Sequence, residues 1–153
     1  MDASYRDLGL LSPWLNAAGF LGHAPGGPWA WPESPGAFVT NPISYRPRSV
    51  ADGRAFVPFR GGFLLHTGLP NPGFQSVIRR QAERWSRSRV PVWVHLFSKD
   101  PDEIYRMVRT LEEMDGIAAI ELGLPPFARP ETTFPLVDAA VGELPLVLNF
   151  PLT

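Results

Sequence analysis

Six polar side chains in this chain fall at or near the ends of short apolar runs: Asn16, Asn41, His66, His95, Glu121 and Asn149. Two imidazoles, one carboxylate and three amides can accept or relay a proton and can hold a polar ligand by hydrogen bonds. Each of the six also reads as a buried polar group satisfied inside the fold. His66, His95 and Glu121 together would suit a divalent metal, but their spacing carries no metal signature and no metal is expected.

The stretch Gly61–Gly73, reading Gly-Gly-Phe-Leu-Leu-His-Thr-Gly-Leu-Pro-Asn-Pro-Gly, concentrates turn chemistry around His66. Gly61 and Gly62 allow torsions or close approaches that a Cβ forbids, while Gly68, Pro70, Pro72 and Gly73 impose a tight, non-repetitive path. A loop-borne site is built this way, and so is an ordinary structural connection.

The elements that position these groups follow from periodicity. Phe38 to Ile43, Val90 to Phe97, Ile117 to Leu124 and Leu144 to Phe150 are continuous apolar runs, as expected of parallel strands covered on both faces, and Trp14 to Ala17 is a weaker first strand. Phe74, Val77, Ile78, Ala82 and Trp85 form one helical stripe, leaving Arg79, Arg80, Arg84 and Arg87 for solvent. Asp100, Pro101 and Glu103 predict a capped second helix with a capping box, and Ile104, Val108 and Leu111 form its buried stripe. A third helix is expected over 130–141. Strands alternating with helices imply βα units on a parallel sheet, hence an α/β fold in one domain over residues 1–153.

Composition bounds the function classes. The chain has 153 residues, 44% of them apolar, a net charge of −1 and no cysteine. Balanced charge gives no whole-protein field for nucleic acid or an anionic membrane, and Glu83 interrupts the arginine face, so neither partner is expected. Without cysteine there is no disulfide, thiolate ligand or thiol nucleophile. No apolar run reaches the roughly 18 residues of a membrane span, the Met1-Asp2 start is unlike a secretory signal, and a cytoplasmic location is expected. Eighteen prolines and fourteen glycines make the first half loop-rich, most densely from Pro25 to Pro35.

Several segments, in order, resemble the dihydroorotate dehydrogenase family, the FMN-dependent enzymes of pyrimidine synthesis, and its cytosolic class more than its membrane-bound one. They are Ser12-Pro-Trp-Leu-Asn-Ala-Ala-Gly19, Gly36-Ala-Phe-Val-Thr40, Tyr45-Arg-Pro-Arg48, Leu65-His-Thr-Gly-Leu-Pro-Asn-Pro-Gly73, Pro91-Val-Trp-Val94 and Ile117-Ala-Ala-Ile-Glu-Leu122. The resemblance implies a flavin-dependent oxidoreductase homologue on an incomplete (β/α)8 TIM-type barrel, about its first five strands with a loop-rich N-terminal part.

Carried onto this sequence, the resemblance places Ala18, Gly19, Asn41, His95 and Asn149 at the FMN side, and His66, Gly68, Leu69 and Asn71 at the substrate side. His66 is the candidate catalytic residue. Departures from the family fall on its chemistry. Asn41 and Asn149 stand where the family has lysines, and the single lysine of the chain, Lys99, follows the third strand. His66 and Gly123 replace substrate-holding asparagines, and Pro125-Pro126-Phe127 offers neither the thiol nor the hydroxyl of the family's base. The chain is therefore expected to lack dihydroorotate oxidation on its own. A barrel usually needs about 250 residues, and its phosphate groups commonly sit on the loops after strands seven and eight. Self-association or a complementary C-terminal half-barrel chain is the partner expected. A non-catalytic half-barrel remnant, or an assembly module, is the alternative.

Overall fold

The computed structural model describes residues 8, 10, 12–26, 35–53, 56–127 and 129–151. Met1-Asp2 and residues 27–34 of the Pro25–Pro35 segment lie outside them. In chain order the elements are β1 (Phe38–Val39), β2 (Phe56–Phe59), β3 (Gly62–Leu65), α1 (Phe74–Ser86), β4 (Val92–Leu96), α2 (Pro101–Glu112), β5 (Ile117–Gly123), α3 (Pro130–Ala140) and β6 (Leu146–Asn149).

Four strands form one parallel sheet in the order β1-β4-β5-β6. Each βα unit adds the next strand on the same side, the order in which a barrel wall is laid down, and the fold is α/β as expected.

The expected first strand is reduced to a single parallel bridge, Leu15 to Ala37. The cause is Asn16, whose Nδ2 donates to the Val39 carbonyl at 2.6 Å while its Oδ1 accepts from the Val39 N–H at 2.8 Å. A side-chain amide thus occupies the backbone groups that another strand would need. β1 is also shorter than expected. Beyond it the chain still tracks β4, with Ile43 N–H bonded to the His95 carbonyl at 2.9 Å, but the Thr40 hydroxyl takes the His95 N–H and Pro42 has none to give.

One face of the sheet carries Ile43, Val94, Leu96, Ile120 and Leu122 into the main core against the helices, where Phe74, Trp85, Ile104, Met107 and Leu111 are almost fully buried. The opposite face carries Val39, Trp93, Ala119 and Val147 as a second, smaller layer. His95, Glu121 and Asn149 continue this second face toward the carboxyl ends of the strands, because side chains alternate along a strand.

The first half contains an element that the loop-rich expectation omits. β2 and β3 pair antiparallel about the two-residue turn Arg60-Gly61, with Gly61 at φ 96°. Two apolar runs flanking a turn with glycine carry that signal. All eight hairpin residues are exposed, and Phe56 and Phe63 contact each other with ring centroids 5.2 Å apart.

Helix signals held at the starts. Asp100 accepts from Asp102 N–H at 2.9 Å and caps α2. The expected capping box does not form, since Glu103 accepts instead from the Ser98 hydroxyl at 2.7 Å and pairs with Arg46 at 3.5 Å. The third helix is present, with Leu136 and Ala140 buried.

Candidate functional site

Three parallel strands bring His95, Glu121 and Asn149 together at their carboxyl ends. His95 of β4 is directly opposite Glu121 of β5 in the ladder, and Gly123 is opposite Asn149 of β6. His95 Nδ1 lies 2.7 Å from Glu121 Oε2, and Asn149 Nδ2 donates to Glu121 Oε1 at 3.1 Å. Burial works to raise the Glu121 carboxyl, yet the hydrogen bond and charge of His95 and the Asn149 amide outweigh it, and the group is held below its ordinary range. An ionised carboxylate only accepts, so in this pair Nδ1 carries a proton and donates.

Gly123 explains the position of that ring. A Cβ at residue 123 would fall 2.5 Å from His95 Nε2 and 3.0 Å from Cε1. The imidazole therefore occupies the space that a side chain at 123 would enter, and the histidine and the glycine form a packed pair.

The other expected site residues have different surroundings. Asn41 accepts from Gly22 N–H at 3.0 Å, and the two backbones are joined by a 2.7 Å bond from Asn41 N–H to the Gly22 carbonyl. Ala18 packs beside the smaller apolar layer, and Gly19 adopts φ 89° in the turn before this loop. His66 follows the hairpin rather than a strand of the parallel sheet, and it is exposed. The sheet does not bring it to His95. Among the described residues no group of three histidine, cysteine or acidic side chains could hold a metal ion.

Asn71 is the hub of the glycine-rich block. Its Oδ1 accepts from Gly73 N–H at 3.0 Å and from Ser44, and its Nδ2 donates to the Ser44 hydroxyl and the Leu69 carbonyl, each at 3.0 Å. Gly68, at φ 77° against the backbone of Ala51, and Leu69, at φ 54°, complete this constrained path. The block's special residues thus build a loop that packs on Ser44 to Arg48.

Two features were not expected from sequence. A cleft of about 400 Å³ beyond β4 gathers Arg46, Arg48 and Lys99 with Asp100 and Glu103, and Arg48 lies over the Phe97 ring at 5.3 Å. The basic Tyr45-Arg-Pro-Arg48 segment was the available signal. The indole Nε1 of Trp93 is buried with no hydrogen-bond partner among the described residues, on the same sheet face as His95. A lone apolar-run tryptophan carries no sequence signal of that kind.

No family model matches the chain. Among curated proteins, it is 34% identical over 125 residues to a protein of Aeropyrum pernix assigned as dihydroorotate dehydrogenase A (fumarate), a match covering 81% of this chain and 40% of that one. It is 28% identical to the dihydroorotate dehydrogenase B (NAD(+)) catalytic subunit of Pelobacter propionicus, covering 81% of this chain and 41% of the relative. The corresponding subunit of Desulforudis audaxviator is 30% identical over 118 residues, with 76% and 38% covered. The chain spans about two-fifths of the length of the curated relatives it matches. With an α/β fold, a parallel sheet laid down in barrel order and matches over four-fifths of its length, the chain is a partial member of the dihydroorotate dehydrogenase-like family.

Proposed function

We propose that this chain is the portion of a dihydroorotate dehydrogenase-like oxidoreductase that carries the first βα units, with a strand-end site altered so that it neither retains FMN nor oxidises dihydroorotate by itself. The observation that carries this reading is the His95, Glu121, Asn149 network. It supplies an ionised carboxylate and an amide where the resemblance puts a flavin-side lysine, and the Asn149 amide is committed to Glu121 at 3.1 Å.

A reduced flavin carries negative charge near N1, and cations beside it tune its electronics. Asn41 and Asn149 supply none. The described residues on this rim, including Ala18, Gly19 and His95, therefore do not fit FMN as a set, and no chemical step is derived through it. The family's base position is likewise empty of chemistry in Pro125-Pro126.

Further barrel strands, on this polypeptide or on another, would pair with β6 and supply phosphate-binding loops. Pyrimidine synthesis and a cytoplasmic location follow from the family reading, and among the described residues no helix is long and apolar enough to cross a membrane. A non-catalytic assembly module remains the second reading, supported by the exposed apolar hairpin.

Dye reduction tests the proposal. The purified chain, given FMN and dihydroorotate, is expected to reduce a redox dye no faster than free FMN does. Dihydroorotate-dependent turnover well above that background would overturn it.

A further inference from the structure

We infer that the cleft of about 400 Å³ beyond β4 is a binding site for the phosphate group of a small phosphomonoester, held by Arg48 and Lys99. None of His95, Glu121 and Asn149 lines it, and the site is independent of any flavin.

Three cations and two carboxylates face this cleft, and the hydrogen bonds decide which charges are free for a ligand. Both carboxylates are committed within the fold. Glu103 accepts from the buried Ser98 hydroxyl at 2.7 Å and pairs with Arg46 at 3.5 Å, which engages that arginine as well. Asp100 accepts from Asp102 N–H at 2.9 Å and caps α2. Two cations are left. Arg48 donates from Nε to the Gly68 carbonyl at 3.0 Å and lies over the Phe97 ring at 5.3 Å, while its terminal amino groups have no acceptor among the described residues. Lys99 has neither an ion-pair nor a hydrogen-bond partner among the described residues.

A guanidinium fork and an ammonium together match a phosphate dianion. The fork takes two oxygens side by side, and the ammonium acts as a point charge on a third. The fork is set before a ligand arrives. Arg48 N–H bonds to the Asn71 carbonyl at 2.9 Å and the Arg48 carbonyl accepts from Asn71 N–H at 3.1 Å, so its backbone is fixed, and Nε and the ring face hold the guanidinium plane. Little rotamer freedom is then lost on binding. The volume has room for an ester group beside the phosphate, since small-molecule pockets run from roughly 300 to 1,000 Å³.

Lys99 is the single lysine of the chain, which makes it a specific reporter. The full chain, without flavin, is treated with an amine-acylating reagent, and modification of Lys99 and of the N-terminal amine is followed by mass spectrometry of its peptides. Glycerol phosphate at about ten times its Kd is expected to slow acylation of Lys99 about tenfold and to leave the N-terminal amine unchanged. Sodium chloride at the same ionic strength should slow neither. Arg48→Gln should raise the glycerol phosphate concentration for half-protection about tenfold or more, the loss expected with a charge-assisted contact. Glu103→Gln should lower it, because the amide oxygen still accepts from Ser98 while one negative charge leaves the cleft. Equal protection by chloride, no protection of the unsubstituted chain, or half-protection unchanged by Arg48→Gln would overturn the inference. Protection by inorganic phosphate but not by glycerol phosphate would overturn the ester assignment. The chloride and phosphate comparisons need no variant, so a substituted chain that fails to fold leaves the inference open to refutation.

Discussion

At the scale of single residues, the decisive relation is between His95 and Gly123. Because a Cβ at 123 would meet the imidazole at 2.5 Å, Gly123→Asn alone should destabilise the chain by about 1–3 kcal/mol, the range for overpacking. Combined with His95→Asn it should lose less than the two single changes add up to, and a double-mutant cycle by denaturant unfolding measures that coupling. Additive losses would mean that the ring and the glycine do not share one space. Glu121 gives a pH prediction with a definite sign. Its folded-state pKa is lowered, so its contribution is fully present above the ordinary glutamate value of about 4.3 and is lost as pH falls through the lower folded value. Unfolding followed from pH 7 to acid should show this loss, and Glu121→Gln should flatten it. The polar types at the ends of apolar runs were legible in sequence, and His95, Glu121 and Asn149 do share one carboxyl edge, whereas His66 falls after the hairpin. The pairing of those three was not legible, because hydrogen-bond partners depend on register between strands that are 26 and 28 residues apart.

At the scale of elements, apolar runs and cap residues made most of the parallel sheet and the three helices legible. What escaped was structure set by side chains replacing backbone. Asn16 ends the first strand by occupying Val39, and Asn71 closes the glycine-rich block through Ser44 and Gly73. Asn71→Ala should leave the buried N–H groups of Ser44 and Gly73 without their acceptor. About 1–3 kcal/mol per unsatisfied group is expected, read as a lower unfolding midpoint. A second element-scale device joins α1 to the N-terminal loop. The indole of the fully buried Trp85 donates to the His23 carbonyl at 2.7 Å, and Arg84 donates to the Pro25 carbonyl at 3.0 Å. Arg84, expected on the solvent side, therefore also anchors a loop. His23 itself is kept below its ordinary pKa by burial, partly offset by a hydrogen bond to the Asn41 backbone. Its contribution is present above about pH 6.5 and declines as the unfolded chain takes up a proton that the folded one resists. Proteolysis within residues 22–26 should quicken over that same fall in pH, and a flat profile would contradict the assignment.

At the scale of the whole molecule, the chain presents an arc of barrel wall with much uncovered apolar surface. The hairpin residues Phe63, Leu64 and Leu65 are 58–65% exposed, and Phe127 is 85% exposed. On the far side, β6 pairs only with β5 among the described residues, leaving an edge that is half-buried at most. Unpaired edges and apolar patches of this kind favour association. Light scattering at micromolar concentration should report oligomers or aggregates, whereas a monodisperse, cooperatively unfolding monomer would show that these surfaces need no cover. Family membership was legible from short motifs because they preserve the barrel's loops and strands. The altered chemistry was legible as substitutions, while its consequence, a carboxylate held ionised by His95 and Asn149, required the fold. Whether that rim is still a flavin site is the central question, and gel filtration of the chain with one equivalent of FMN answers it most directly. The account predicts that visible absorbance elutes with free flavin. One FMN co-eluting per chain would contradict it.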